Sequence, residues 1–211
     1  MRQPTPTELT IINAMLPAGE DLTDRDICVQ TIVATDNLIS RSKSKWHNTA
    51  FDQLAELGIG IPFTLDHDWD EVGKTQGRVF QSRIVKYESA PKELLNRCGC
   101  KTDNLQAIKN DGGYITLEFD VFIDLDSPAV ESIGYGLIDR VSIGGFDYED
   151  IHCPICNISF FDKNCPHAVP DSWYPDEESS APYYERKDVT DLGEISAVLI
   201  PNVPGAGIKR R

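Results

Sequence analysis

The chain has 211 residues, of which 40% are hydrophobic, and a formal net charge of −14 at pH 7. A chain of this length and composition can bury one substantial core. Phosphate binding depends on Lys and Arg, which Asp and Glu outnumber here by 34 to 20, so the composition argues against nucleic acid as a partner.

The sequence also argues against export and membrane insertion. Its opening residues, MRQPTPTELT, lack the positively charged flank and the apolar run of a secretory signal. No apolar stretch approaches the roughly 20 residues that are needed to span a bilayer. We therefore expect a soluble intracellular protein with no membrane partner.

The first part of the chain predicts an arm, two strands and a helix. Residues 1–24 carry Pro, Thr and acidic residues without a sustained period, which indicates an N-terminal arm. The next run, DICVQTIVATDNL, is rich in β-branched residues and predicts a strand. SKWHNTAFDQLAELGIG has an apolar helical face, with Asn48 as the predicted N-cap and Gly58 at the end. After the short extended segment IPFTLDHDW, the alternating run GRVFQSRIVKY predicts a second long strand.

The second part of the chain is also rich in strands. A short helix and a loop are predicted in ESAPKELLNRCGCKTDNLQAIKNDGG, followed by the strand YITLEFDVFIDL. SPAVESIGYGLI predicts a helix with Ser127 as N-cap and Pro128 at its first position. The strand DRVSIGGFDYED, an acidic loop at residues 171–186 and the closing strand DLGEISAVLIPNV complete the chain. Residues 25–208 thus predict an α+β domain, a mainly antiparallel β-barrel with a few short helices around it.

A group of metal-ligand residue types follows the fourth of these strands, in HCPICNISFFDKNCPH. Cys153 and Cys156 form a C-x2-C pair, and Cys165 and His167 form a C-x-H pair eight residues later. Thiolate and imidazole donors suit tetrahedral zinc, and a closed shell of four protein ligands is typical of structural sites. We therefore predict a small structural zinc knuckle inserted at residues 151–170.

Two alternatives stay open for the cysteine residues. His152 offers a second imidazole, although its position directly beside a cysteine makes joint ligation awkward. The cysteines of the motif can also be reduced, partly buried thiols without a metal. Cys98 and Cys100 have no further ligand type nearby in the sequence, so we interpret them as surface thiols.

Two polar positions interrupt the strand-rich sequence in a way that packing alone does not explain. His67 lies between Asp66 and Asp68, whose negative charges favour the imidazolium form. Ser142 precedes a Gly-Gly pair, where backbone N–H groups can approach an oxyanion. By itself, each residue has a commoner explanation, a structural histidine or an ordinary strand serine. Together they suggest a base and a nucleophile.

Four short motifs resemble the prohead, or head maturation, proteases of tailed bacteriophages. They are IPFTLDHDW, GRVF, RVSIGGF and GEISAVLIPNVPGA, and the resemblance covers residues 26 to 208. Similar phage proteins also carry a C-x2-C and C-x-H insertion after the serine strand. These proteases share their fold with the herpesvirus assemblins, so the resemblance implies a β-barrel surrounded by helices.

The resemblance also implies roles for individual residues. Ser142 corresponds to the nucleophile, His67 to the general base, and Glu194 to the acidic residue that orients the base. Three further carboxylates compete for that last role: Asp66, Asp68 and Asp191. The N–H groups of two glycines, Gly144 and Gly145, are candidate oxyanion donors. Family members often have a single glycine at this point, so the local turn here departs from their pattern.

The resemblance predicts a serine endopeptidase that cuts phage scaffold and major capsid proteins, and its own N-terminal arm. It would act in the host cytoplasm inside the assembling procapsid, with retention in the virion and homo-oligomer formation as further expectations. One alternative is a non-catalytic, head-associated structural protein with the same fold. Another is a zinc-ribbon interaction module with no viral connection.

Overall fold

The computed structural model describes residues 1–68, 75–97, 101–162, 164–167 and 183–209. Cys98, Cys100 and most of the predicted acidic loop lie outside these residues. The described ranges contain five α-helices and eight β-strands. The helices are α1 (Pro6–Asn13), α2 (Ala50–Leu57), α3 (Lys92–Arg97), α4 (Lys101–Asn110) and α5 (Pro128–Gly134). The strands are β1 (Ile27–Asp36), β2 (Ser44–Trp46), β3 (Pro62–Leu65), β4 (Gly77–Tyr87), β5 (Tyr114–Asp124), β6 (Arg140–His152), β7 (Tyr184–Val198) and β8 (Gly207–Ile208).

All eight strands form one mixed sheet in the order β2-β7-β3-β4-β5-β1-β8, with β6 paired to β7. The pairings β2–β7 and β3–β7 are parallel, and the other pairings are antiparallel. The predicted α+β class with few helices is confirmed.

The predicted closed barrel is wrong. β8 is only two residues long, and the Ile208 N–H donates to Asp139 O at 3.0 Å, just before β6 begins. This bond brings the two edges together, but within the described residues no ladder of strand pairs closes the sheet. The sheet therefore stays open between β8 and β6.

β5 lies at the centre of the sheet, and ten of its eleven residues are buried. Alternate side chains from one face, such as Leu117 and Phe119, join the main apolar core together with Phe63 from β3 and Ile195 from β7. The opposite face is covered at one end by α1 and at the other by α3 and α4. At the centre of this face, Arg83 and Lys209 form ion pairs with the buried carboxylates of β5. Helices at the ends and these side chains at the centre together bury the second side of β5.

The N-terminal segment, predicted as an arm, packs against the sheet. Arg2 and Val29 exchange backbone hydrogen bonds of 3.0 and 2.8 Å. α1 begins after Thr5, whose side chain accepts from the Glu8 N–H in a capping box, and Ile12 on this helix is fully buried. The N-terminal residues therefore cover part of the sheet.

Two predicted helices are confirmed with small differences at their ends. α5 begins as predicted, with Ser127 Oγ accepting from the Ala129 N–H and Pro128 at the first position. α2 begins one residue later than predicted, since Thr49 is its N-cap, and it ends at Gly58 as predicted. Within the described ranges, every helix is too short or too polar to cross a lipid bilayer.

One buried carboxylate carries an electrostatic cost. Asp36 is completely buried at the end of β1, where burial raises its pKa to about 6. The Leu38 N–H and the Tyr114 hydroxyl donate to it, each at 2.9 Å, and oppose this shift only in part. Because the pKa is higher in the folded state than the ordinary 3.8, ionisation of Asp36 destabilises the fold.

We predict that Asp36→Asn gains stability relative to wild type as the pH rises from about 4 to about 6. The folded wild type binds more protons than the unfolded chain in this window, so its stability falls with pH, whereas an amide does not titrate. The difference reaches about 3 kcal/mol if it follows the full pKa shift. Thermal unfolding from pH 4 to 8 measures it, with the exposed Asp24→Asn as control. A pH-independent difference would contradict the prediction.

Candidate functional site

Three neighbouring strands bring the predicted site residues to one face of the sheet. Ser196 in β7 stands opposite Thr64 in β3 and opposite Ser142 in β6, while Glu194 stands opposite Gly144. The residues between them point the other way and belong to the apolar core: Phe63, Val141, Ile143 and Ile195. The alternation of the strands therefore separates a polar face from the core.

His67 is presented by a tight turn directly after β3. The Asp68 N–H donates to Leu65 O at 3.1 Å, and the two central residues, Asp66 and His67, have φ angles of 54° and 57°. Positive φ at both central positions is a feature of type I′ turns. Non-glycine residues seldom adopt this conformation, and where they do they often cluster at functional sites. The Asp66 N–H donates to Ala197 O at 2.9 Å and fixes the turn to β7.

His67 and Glu194 form a hydrogen-bonded pair through His67 Nδ1 and Glu194 Oε1. The Glu194 side chain is 1% exposed and the His67 side chain 40% exposed, so the carboxylate is buried behind a half-open imidazole. With Nδ1–H donating to the carboxylate, the neutral ring keeps an acceptor lone pair on Nε2. This tautomer is the one a general base requires.

The two groups shift each other's ionisation. The hydrogen bond to Glu194 raises the pKa of His67, against the smaller effect of burial, and the Asp66 charge adds to the rise. For Glu194, burial favours the neutral form, but the hydrogen bonds from His67, Ser196 and Thr64 together outweigh it and lower the pKa. Glu194 is therefore an ionised, fully hydrogen-bonded carboxylate.

Gly144 is required by the close approach of this pair. A Cβ atom at Gly144 would lie 2.2 Å from Glu194 Oε1 and 2.9 Å from His67 Nδ1. Gly145, with φ of 61°, packs against Gly193 on the neighbouring strand, where a Cβ at Gly193 would lie 3.2 Å from Gly145 Cα. The lack of room for a Cβ atom explains the glycine at position 144, and the positive φ angle explains the glycine at position 145. Their role as oxyanion donors stays a prediction.

Ser142 lies on the same face as the pair, without a hydrogen bond to either member within the described residues. It is half-buried, two residues before Gly144 on the same strand, and therefore projects from the same face. Its Oγ donates to Ile143 O at 3.4 Å, and no hydrogen bond within the described residues joins it to His67. Hydrogen bonds between nucleophile and base are often long in the absence of substrate. The structure thus brings two of the three predicted residues together and places the third beside them.

The competing carboxylates do not replace Glu194 as the hydrogen-bond partner of His67. Asp66 acts on the imidazole only through its charge. Asp191 is exposed and accepts a hydrogen bond from the Leu192 N–H. Two hydroxyl residues that the sequence analysis did not select, Thr64 and Ser196, contact the carboxylate instead. The sequence signal that could have indicated Ser196 is its spacing of two residues from Glu194 in a predicted strand, which puts both side chains on the same face.

The predicted metal ligands also come together. The ligand atoms of Cys153, Cys156, Cys165 and His167 all lie within 4.8 Å of one another. Cys156 Sγ lies 3.7 Å from Cys165 Sγ, and Cys153 Sγ lies 3.5 Å from His167 Nδ1. Tetrahedral zinc bond lengths imply separations of about 3.8 Å between two sulfurs and about 3.5 Å between sulfur and nitrogen. The four donors are thus close enough to bind one metal ion, in a geometry compatible with zinc.

Backbone hydrogen bonds support the loop that carries the cluster. The Cys153 N–H donates to Ile158 O at 3.0 Å, and the Asn157 N–H, at a residue with φ of 56°, donates to Cys153 O at 2.8 Å. A backbone hydrogen bond with Ile158 is the main cause that lowers the pKa of Cys156 to about 7. His152, the alternative ligand, instead contacts Asp150 Oδ2 through Nε2 at 2.6 Å.

The cluster is distant from His67. It follows the end of β6, whereas Ser142 lies near the start of that strand. Ten residues of extended chain separate Ser142 from His152, which corresponds to roughly 30 Å. The cysteine cluster and the polar face are therefore two separate sites.

Comparison of the chain with protein-family models, with curated proteins and with solved structures finds no match in any of the three.

We predict that Glu194→Gln lowers the pKa of His67, because the negative charge next to the imidazole is lost. Asp66→Asn is the matched control and should lower it less, since Asp66 makes no hydrogen bond to the ring. Proton and carbon resonances of His67 Cε1, followed from pH 4 to 9, report the values. The charged pair stabilises the wild-type fold between the lowered pKa of Glu194 and the raised pKa of His67. This contribution is lost as the pH rises through the pKa of His67 and as it falls through that of Glu194. Equal pKa values in wild type and Glu194→Gln would contradict the prediction.

Proposed function

We propose that this chain is a serine endopeptidase of the prohead-protease type. The observation that carries the proposal is the buried Glu194–His67 pair, whose half-exposed imidazole lies beside Ser142 on one face of the sheet. A purely structural histidine does not need a buried carboxylate partner, a strained turn and an adjacent serine. This combination matches the chemical requirements of acyl transfer.

In the proposed mechanism, His67 Nε2 removes the proton from Ser142 Oγ as the oxygen attacks the scissile carbonyl carbon. The imidazolium then protonates the leaving amine, and an acyl-enzyme on Ser142 remains. Water, deprotonated by the same imidazole, hydrolyses that ester and restores the serine. Glu194 holds the Nδ1–H tautomer and stabilises the imidazolium. Gly144 and Gly145 supply the candidate N–H donors for the oxyanion.

Resemblance supports the choice of substrates. The proposed targets are the scaffold and major capsid proteins of a tailed phage, cut inside the procapsid in the host cytoplasm. Cleavage of the chain's own N-terminal segment is a further part of the proposal. Because α1 packs on the sheet through Ile12, that segment would have to detach before it could enter an active site. Homo-oligomer formation and retention in the virion rest on the resemblance alone.

A non-catalytic, head-associated structural protein is the second candidate. The observation that favours it is the position of the Ser142 hydroxyl, which contacts Ile143 O and not His67. In that case, the Glu194–His67 pair would stabilise the turn after β3 and have no chemical role. The two candidates differ in one measurable property, the dependence of proteolysis on Ser142.

We propose zinc as the metal of the cysteine cluster, in a structural role. Three thiolates and one imidazole form a donor set that suits zinc. Four protein ligands leave no open position for water or substrate, so the metal would stabilise the segment that joins β6 to β7.

We predict that Ser142→Ala abolishes cleavage when the protein is co-expressed with its neighbouring scaffold and capsid proteins. Removal of the nucleophile eliminates the acyl-enzyme, while the buried surface of the fold is unchanged. Intact-mass spectrometry of all partners detects the fragments. Ser132→Ala, which removes a hydroxyl from α5, is the control and should cleave normally. Identical fragments from wild type and Ser142→Ala would refute the protease and favour the structural candidate.

We predict about one zinc ion per chain. Cys156→Ser should lower both the zinc content and the unfolding temperature, because a four-ligand site contributes folding energy. Elemental analysis and thermal unfolding, with and without chelator, measure both effects. Cys98→Ser removes a thiol outside the motif and serves as control. Wild-type protein that is free of metal and unaffected by chelator would contradict the prediction.

A further inference from the structure

Behind the His67–Glu194 pair lies a fully buried hydroxyl that contacts both members. Ser196 Oγ accepts from the His67 backbone N–H at 3.0 Å and donates to Glu194 Oε2. Thr64 Oγ1, on the neighbouring strand, donates to the same carboxylate oxygen at 2.5 Å. The Thr64 side chain contacts the carboxylate but makes no hydrogen bond to His67 within the described residues.

We propose that Ser196 is a positioning residue for His67, with Thr64 in a supporting role. The effect of Ser196 on catalysis rests on the proposed serine-protease function, whereas the effect of Ser196 on His67 and Glu194 does not. Ser196 holds the backbone that carries the imidazole and also the carboxylate that orients the ring. One hydroxyl therefore fixes the base at its main chain and, through Glu194, at its side chain.

The hydrogen-bond capacity of the groups supports this assignment. A serine hydroxyl has one hydrogen and two acceptor lone pairs. Ser196 directs its hydrogen to Glu194 and uses one lone pair for the His67 N–H, and its Oγ also lies within hydrogen-bond distance of Thr64 Oγ1. Both hydroxyls thus engage Oε2, which leaves Oε1 to the imidazole. The terminal torsion of a glutamate has a broad energy minimum, so anchoring Oε2 also fixes the direction of Oε1.

The turn gives the second reason for an anchor. His67 has a φ of 57°, a conformation that costs free energy in a non-glycine residue and persists only when surrounding contacts maintain it. The Ser196 hydroxyl supplies such a contact at the residue that carries the base. Loss of this acceptor leaves the His67 N–H without its partner and allows the turn to relax.

Comparison of Ser196→Ala with Thr64→Val separates the two contacts. Both variants remove one donor to Glu194 and should raise the Glu194 pKa, measured by carbon NMR of the carboxyl group. Only Ser196→Ala also removes the acceptor of the His67 N–H. Amide hydrogen exchange at His67 should therefore accelerate about tenfold in Ser196→Ala and remain near wild type in Thr64→Val.

Activity supplies an independent readout. The rate constant kcat for a peptide substrate should fall more in Ser196→Ala than in Thr64→Val, while KM stays constant, because the base is misaligned and substrate binding is not altered. Thr64→Ser, which keeps the hydroxyl, should restore the wild-type Glu194 pKa. Thr116→Val, at a buried threonine on β5 outside the site, should change none of these quantities.

Each result has a defined meaning. Unchanged His67 exchange and unchanged Glu194 pKa in folded Ser196→Ala would overturn the positioning role. If Ser196→Ala does not fold, Ser196→Cys, with a weaker donor of similar size, is measured in the same way and decides the question. If the exchange and pKa results are as expected but Ser142→Ala leaves proteolysis intact, the positioning role holds and the protease proposal fails.

Discussion

The register of β7 against its neighbours is the constraint on which the rest of the structure depends. This strand pairs with β6 along one edge and with β2 and β3 along the other. A shift by a single residue would turn Glu194 and Ser196 into the apolar core and expose Ile195. The alternation of apolar and polar residues along β7 therefore builds the core on one face and assembles the polar site on the other. Folding stability and site geometry are set by the same hydrogen-bond ladder.

The buried carboxylate shows how such a site can be maintained. An isolated ionised carboxylate is costly in a protein interior, and the cost falls only when its oxygens are fully hydrogen-bonded. Glu194 reaches this condition with an imidazole on one oxygen and two hydroxyls on the other. Gly144 completes the arrangement through the absence of a side chain. The pair thus needs a strand residue without Cβ directly opposite the carboxylate.

Local patterns in the sequence predicted much of this arrangement, and long-range geometry accounts for what they missed. The start of α5 and the proximity of the four side chains of the cysteine cluster follow from short spacings, and the structure shows both. Barrel closure depends on how two distant edges meet, and the two residues of β8 carry too little pattern to decide it. The capping box between Thr5 and Glu8 was readable as a helix start, but the Pro- and Thr-rich composition favoured an arm.

Ser196 and Thr64 were missed for a different reason. A single hydroxyl residue in a strand is common, and its importance depends on which side chain stands opposite to it in the sheet. Such pairing is known only once the parallel neighbour, β3, is placed.

The length of the β6–β7 ribbon has a consequence for how the molecule can vary. With the cysteine cluster at one end and the polar face roughly 30 Å away at the other, the connecting segment can change in size without disturbing the register near Glu194. The tip of the ribbon is therefore a suitable position for an inserted segment. A reporter group or a foreign loop inserted there would test, by its tolerance, how far the two ends are mechanically independent.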